Sequence, residues 1–187
     1  HPLLQAAMGE GVNFTNRKTE MDETGHGTAV AGIALYGNLE ENIQANYWEP
    51  ELWLLSGKIL NDKNEFDEKT IENTITEAVE YFVANHNCKI FNLSIGNANA
   101  PYQGGHVQGI AYVLDTLARK HDVLFIVSAG NFIGCDDPPV PQHSWRDEYP
   151  EYLLHEQSVI LDPAPALNVL TAGRLVLHAY TAKAQKH

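Results

Sequence analysis

The chain has 187 residues, 44% of them hydrophobic, with 24 acidic side chains against 12 Lys and Arg and a net charge of -12. That length suits one globular domain, or a large part of one, with a real core. The negative balance repels phosphate backbones and argues against a nucleic-acid partner; no run approaches the ~20 consecutive apolar residues of a membrane span, which argues against a membrane partner.

The opening His1-Pro2-Leu3-Leu4 has neither the basic flank nor the apolar core of a signal peptide, and no compartment is assigned. A helix is predicted to begin near Gly25-His26-Gly27-Thr28 and to run through the small-residue series Ala29-Val30-Ala31-Gly32-Ile33-Ala34. Glycine lowers helix propensity by ~1 kcal/mol, so this series calls for close packing against a neighbour. The apolar runs 52–60, 89–94 and 123–127 are short and bounded by polar residues or glycine, which suits buried strands. Between them Ile71, Ile75, Val79 and Phe82 recur at helical spacing, as do Ile110, Leu114 and Leu117, while Asp115 and Arg119 fall off the stripe. Strand, helix, strand, helix, strand predicts an α/β fold, a parallel sheet with helices on both faces.

From about residue 132 to 165 the character changes. Prolines from Pro138 to Pro165 sit poorly in regular structure, and acids such as Asp136, Asp137, Asp147 and Glu148 outnumber the single Arg146. This reads as a largely irregular, acidic surface excursion, with a short helix expected at 152–157 after Pro150. Cys88 and Cys135 form no CxxC pair and read as isolated thiols.

Of nine histidines, His26 alone has glycine on both sides, which leaves its imidazole open to a substrate. No HExxH or comparable spacing points to a metal, and no metal ligand is assigned. The string Asp22-Glu23-Thr24-Gly25-His26-Gly27-Thr28-Ala29-Val30-Ala31-Gly32 resembles the His-Gly-Thr-x-Val-Ala-Gly signature of the subtilisin-like serine peptidases, the subtilases. Two further stretches resemble that family in the same order. Asn92-Leu93-Ser94-Ile95-Gly96 is similar to the segment that pairs with the substrate backbone and borders the pocket for the residue before the cut. Val127-Ser128-Ala129-Gly130-Asn131 is similar to the segment ending in the oxyanion-hole asparagine, and an asparagine amide at such a strand end can donate to a developing oxyanion. The stretch 164–175 resembles the strand that follows.

The resemblance implies a three-layer subtilisin-like domain over residues 1–187, incomplete at both ends. It implies catalytic roles for His26, as general base, and for Asn131, with substrate contacts at Leu93, Ser94, Ile95, Gly96, Ala129 and Gly130. The implied reaction is acyl transfer on an extended peptide or protein substrate, with no cofactor required. Departures matter as well. The family nucleophile lies in Gly-Thr-Ser-x-Ala, and none of Ser56, Ser94, Ser128, Ser144 or Ser158 has that context. Asp22 lies four residues before His26 on the same segment, whereas a triad aspartate must reach the imidazole from a separate strand end. The expectation is a fragment whose parent supplies the aspartate upstream and the serine downstream, so that the chain alone is inactive and, with strand edges open, prone to self-association. The acidic excursion could bind structural calcium through its carboxylates, but it carries no calcium motif and reads as a solvated surface.

Two other readings compete. A catalytically dead module could keep the cleft and hold a peptide by sheet-edge pairing at 93–96. An α/β-hydrolase would use Ser94 as nucleophile, but its elbow needs a glycine two residues earlier, where Asn92 stands, and a helix directly after.

Overall fold

A computed structural model describes residues 2–16, 21–65, 70–130, 143–144, 146–154 and 159–173, which fall in two units, His1–Lys89 and Ile90–His187. In the first unit a short helix α1 (Pro2–Gln5) leads into strand β1 (Met8–Asn13), followed by α2 (His26–Tyr36), α3 (Leu39–Ala45), β2 (Leu54–Lys58) and α4 (Ile71–His86). β1 and β2 pair in parallel, with Val12 beside Gly57 and Asn13 beside Lys58. Parallel strands need a long crossover, and α2 and α3 supply it. Asn38 starts α3 by accepting from the backbone N–H groups of Glu40 and Glu41, and Asn46 in left-handed conformation ends it.

The small core of this crossover is Leu4, Ala7, Leu35 and Tyr36, flanked by Trp48 and Leu54. Tyr36 buries its ring edge-on to Trp48, centroids 5.3 Å apart, and its hydroxyl donates to the Leu3 carbonyl at 2.6 Å. Burial of a tyrosine is stabilising when its O–H finds such a partner. A second cluster joins Phe14, Tyr81 and Phe82 in edge-to-face contacts. Gly57 in β2 makes room for it, since a Cβ there would lie 3.1 Å from Phe82 and 3.3 Å from Phe14. The stripe predicted for α4 is the buried one, Ile71, Ile75, Val79 and Phe82, and the helix stops at Asn87 with φ 51°.

In the second unit the order is β3 (Ile90–Leu93), β4 (Asn97–Pro101), α5 (Gly109–His121), β5 (Leu124–Ser128), a 3-10 turn (Glu151–Leu154), β6 (Leu161–Asp162) and β7 (Val169–Ala172). β3, β5 and β7 form an all-parallel sheet in the order β3-β5-β7. The parallel sheets and interleaved helices are the α/β architecture expected from the order of elements. α5 buries Ile110, Leu114 and Leu117, and Arg119, Lys120 and His121 in its last turn favour its negative end. Phe125 and Val127 are buried on one face of β5. On the other face Ile90, Leu124 and Leu170 are 63%, 42% and 55% exposed, so among the described residues these strands are buried on one side only.

Other expectations shift in detail. β2 is shorter than the run 52–60, because Leu52 and Trp53 are exposed ahead of it. Among the described residues, nothing approaches within 4 Å of a Cβ placed on Gly32, so the close approach expected along α2 is not seen at that position. Of the excursion expected at 132–165, the described part holds turns, the 3-10 turn and β6; residues 131–142, 145 and 155–158 lie outside the described residues. The helix expected at 152–157 is, where described, the 3-10 turn Glu151–Leu154.

Candidate functional site

His26 is the first residue of α2 and is exposed. Gly25 precedes it with φ 80°, a left-handed conformation that glycine adopts freely and that turns the chain sharply into the helix. A helix start leaves backbone N–H groups without intrahelical acceptors, and Asp22 supplies two oxygens to this turn. Its Oδ1 accepts from Thr24 N at 3.1 Å, Thr24 Oγ1 at 3.1 Å and Gly25 N at 2.9 Å; its Oδ2 accepts from Thr28 N at 2.7 Å. Partial burial pushes the Asp22 carboxyl up, but the hydrogen bonds from Thr28, Gly25 and Thr24 together outweigh it and hold it at about 2. Asp22 is thus a helix cap built across the turn.

Two residues not singled out in the sequence brace the same turn. Lys58, at the end of β2, donates to the Met21 carbonyl at 2.9 Å and pairs with Asp62 at 2.6 Å, its side chain only 11% exposed. Asn64 donates to Thr24 Oγ1 at 2.9 Å. The segment leading to His26 is therefore tied both to its own helix and to the loop after β2.

In the second unit, Leu93 closes β3 and is buried, and Ser94, Ile95 and Gly96 continue beyond the end of the strand. Ser128 closes β5, the parallel neighbour, and Ala129 and Gly130 continue from it. Both segments therefore leave the carboxyl ends of adjacent parallel strands, the edge at which open α/β sheets commonly bind ligands. They meet directly: Ser128 Oγ donates to the Ile95 carbonyl at 3.0 Å, and a Cβ on Gly96 would lie 3.5 Å from the Gly130 Cα. Gly130 has φ 108°, a conformation other residues rarely adopt. Asn131 lies outside the described residues. Ser94 is followed by strand β4, not by a helix, so it does not stand on a strand-turn-helix nucleophile elbow.

β6 closes this arrangement from below. Leu161 N–H donates to the Ala129 carbonyl at 3.2 Å, and its side chain packs on Gly96 and Gly130. Next to it Asp162 is 8% exposed and accepts from the first N–H groups of α5, Ile110 at 3.0 Å and Ala111 at 2.7 Å. The helix dipole favours a carboxylate there. Neither Leu161 nor Asp162 was readable as a site residue, since no spacing rule links residue 161 to residues 96 and 130. Among the described residues, no group of three or more His, Cys, Asp or Glu is placed to hold a metal ion, and no helix is long and apolar enough to cross a membrane.

Comparison with known proteins adds a family. The Subtilase family, Peptidase S8, has a family model that matches residues 1–182. An uncharacterized protein of Sinorhizobium fredii, y4bN, is 39% identical over 99 residues, 53% of this chain and 22% of that protein. The chain thus spans about a fifth of the length of this curated relative.

Proposed function

Since the chain belongs to the subtilase family, we propose that it is part of a serine endopeptidase that cleaves extended peptide segments by acyl transfer, with His26 as general base and Asn131 as an oxyanion donor. The observation that carries this reading is the juxtaposition of segments 94–96 and 128–130 at the ends of two adjacent parallel strands. An extended peptide laid along 94–96 would pair with backbone groups there. The Ile95 carbonyl is engaged by Ser128, which holds this segment against its neighbour. Leu93 and Ile95 then hold the segment in place, and Ala129 and Gly130 form the facing wall.

In the reaction, His26 takes the proton of the attacking serine hydroxyl and returns it to the leaving amine. The Asn131 amide and a backbone N–H stabilise the tetrahedral oxyanion. The cap made by Asp22, with Lys58 and Asn64 behind it, fixes the backbone from which the imidazole projects. The 187 residues contain no serine in the Gly-Thr-Ser-x-Ala context and no aspartate in an Asp-[Ser/Thr]-Gly turn, so the triad is completed by residues of a longer polypeptide and the chain alone is inert. No cofactor enters this chemistry.

The test is active-site labelling of the full-length polypeptide with a fluorophosphonate. Stoichiometric reaction that is lost in His26→Ala supports the reading. A full-length protein that binds peptides without labelling would favour the peptide-holding module instead.

A further inference from the structure

We propose that the groove on the outer face of α5 is a docking site for an extended acidic peptide segment, with Arg119 taking a carboxylate and Tyr112 and Leu167 taking the apolar side chain two residues away. This goes beyond the peptidase reading and does not depend on it, since the groove residues lie outside segments 94–96 and 128–130.

The groove has a volume of about 390 Å³ and is formed by α5, the loop after β4 and the turn before β7. Tyr112, Asp115 and Arg119 line it at spacings of three and four, so they share one stripe of α5, away from the buried Ile110, Leu114 and Leu117. Tyr112 is 61% and Leu167 80% exposed, so the lining offers apolar surface to a partner and not to the core. Arg119 is exposed and makes no ion pair among the described residues. Asp115, the acidic residue of the lining, is already engaged: it accepts from the Leu167 N–H at 2.8 Å, the Asn168 N–H at 2.6 Å and the Asn168 side-chain amide at 3.2 Å. His106, the other ionisable side chain of the lining besides the tyrosines, is exposed. The charge left facing an occupant is therefore the guanidinium, which can pair with a carboxylate through two parallel N–H bonds.

The walls are held before anything binds. Asp115 ties α5 to the turn at 167–168. On the opposite loop the Tyr102 hydroxyl donates to the Gly105 carbonyl at 3.0 Å, and the Tyr102 N–H to the Ile160 carbonyl at 2.9 Å. A preorganised groove spares its occupant the cost of ordering it. The length suits three extended residues: Tyr112 and Arg119 are seven positions apart on α5, roughly 10 Å along a helix, and three extended residues span about the same at ~3.3 Å each. Side chains at alternate positions of an extended segment point the same way, so a carboxylate on Arg119 leaves the residue two positions on over Tyr112 and Leu167. The net charge of -12 repels long polyanions, which limits the occupant to a short segment with one or two carboxylates.

The experiment titrates the full-length polypeptide, treated with fluorophosphonate so that no probe is cut, into a fluorescein-labelled peptide, Gly-Leu-Ala-Glu-Ala-Leu-Gly, and reads anisotropy. Leucine two residues to either side of the glutamate serves both chain directions. Saturable binding is expected, weakened about tenfold or more when glutamine replaces the peptide glutamate or in Arg119→Gln, and about fivefold in Tyr112→Ala. Thermal melts report whether each variant is folded, and the peptide substitution tests the charge without altering the protein. The inference is overturned by an absence of saturable binding, by equal binding of the two peptides, or by a folded Arg119→Gln protein that binds like wild type. Acetate that displaces the peptide at equal concentration would make the groove a bare carboxylate site, and a dimer that Arg119→Gln dissolves would assign it to a second copy; either result overturns the inference too. Each of these outcomes leaves the peptidase reading standing, whereas a failure of fluorophosphonate labelling counts against that reading alone.

Discussion

Asp22 Oδ2 accepts the backbone N–H of Thr28 at 2.7 Å while its Oδ1 takes that of Gly25 at 2.9 Å, so one carboxylate spans the turn that carries His26. Replacing a helix cap of this kind by alanine costs about 1 kcal/mol. Asp22→Ala should lower the urea midpoint of the 187-residue chain accordingly, and an unchanged midpoint would refute the capping role.

The same carboxylate sets a pH dependence. Its folded value of about 2 lies below the ordinary 3.8, so the folded state binds fewer protons than the unfolded one between those values. Its contribution is complete above pH 3.8 and is lost as pH falls towards 2. Because Asp22 is exposed, the gain is reduced by solvent screening. Urea midpoints measured from pH 6 down to about 2 should fall less steeply for Asp22→Asn than for wild type in that acid window; parallel curves would contradict this.

Asp162 does comparable work at α5 under heavier burial. Asp162→Ala would leave the Ile110 and Ala111 N–H groups without their acceptor, at about 1–3 kcal/mol for each buried donor that water cannot reach. Gly109→Ala attacks the same contact from the other side, since its Cβ would come within 2.7 Å of Asp162 Oδ2 at a backbone φ of 60°. Both variants should lower the denaturation midpoint. A Gly109→Ala chain as stable as wild type would mean that β6 can shift freely and is not anchored by Asp162.

How much of this was legible depends on whether the information is local. The stripes Ile71-Ile75-Val79-Phe82 and Ile110-Leu114-Leu117 are local, and α4 and α5 bury those residues. The runs that become β3 and β5 are local too. β1 was not readable, because Gly9 and Gly11 interrupt any apolar alternation. β4 was hidden for another reason: Asn97-Ala98-Asn99-Ala100-Pro101 has poor strand propensity and is extended through its pairing with β6, two residues long and some sixty positions away. The string around His26 and the residues 93–96 and 128–130 stand out in the sequence as unbroken local motifs, and the structure brings 94–96 and 128–130 together. The contacts of Lys58 with Met21, and of Leu161 with Gly96 and Gly130, are set by tertiary packing and leave no periodicity to find.

The isolated chain offers a negative test and a physical one. With none of its five serines in a nucleophile context, it should not react with a fluorophosphonate under conditions that label a whole subtilase. Stoichiometric labelling would show a nucleophile among Ser56, Ser94, Ser128, Ser144 and Ser158. Ile90, Leu124 and Leu170 also leave an apolar sheet face exposed, and such faces drive association. Light scattering should show oligomers that grow with concentration, and a monomer at all concentrations would contradict that.

The roles proposed for His26 and Asn131 predict different losses in the full-length polypeptide. His26→Ala should abolish turnover nearly completely, because in the proposed mechanism the imidazole moves a proton in every acyl-transfer step. Asn131→Ala should leave measurable activity, because an oxyanion hole has at least two donors and the backbone N–H remains. Loss of one such donor lowers kcat by roughly 10²- to 10³-fold, a magnitude measured in subtilisin itself. KM should change little, since the donor strengthens only as negative charge develops on the oxygen. Steady-state kinetics on one peptide substrate decides the matter: an Asn131→Ala enzyme with raised KM and intact kcat would make that residue a contact felt equally by bound substrate and transition state, and the oxyanion role would pass to other donors.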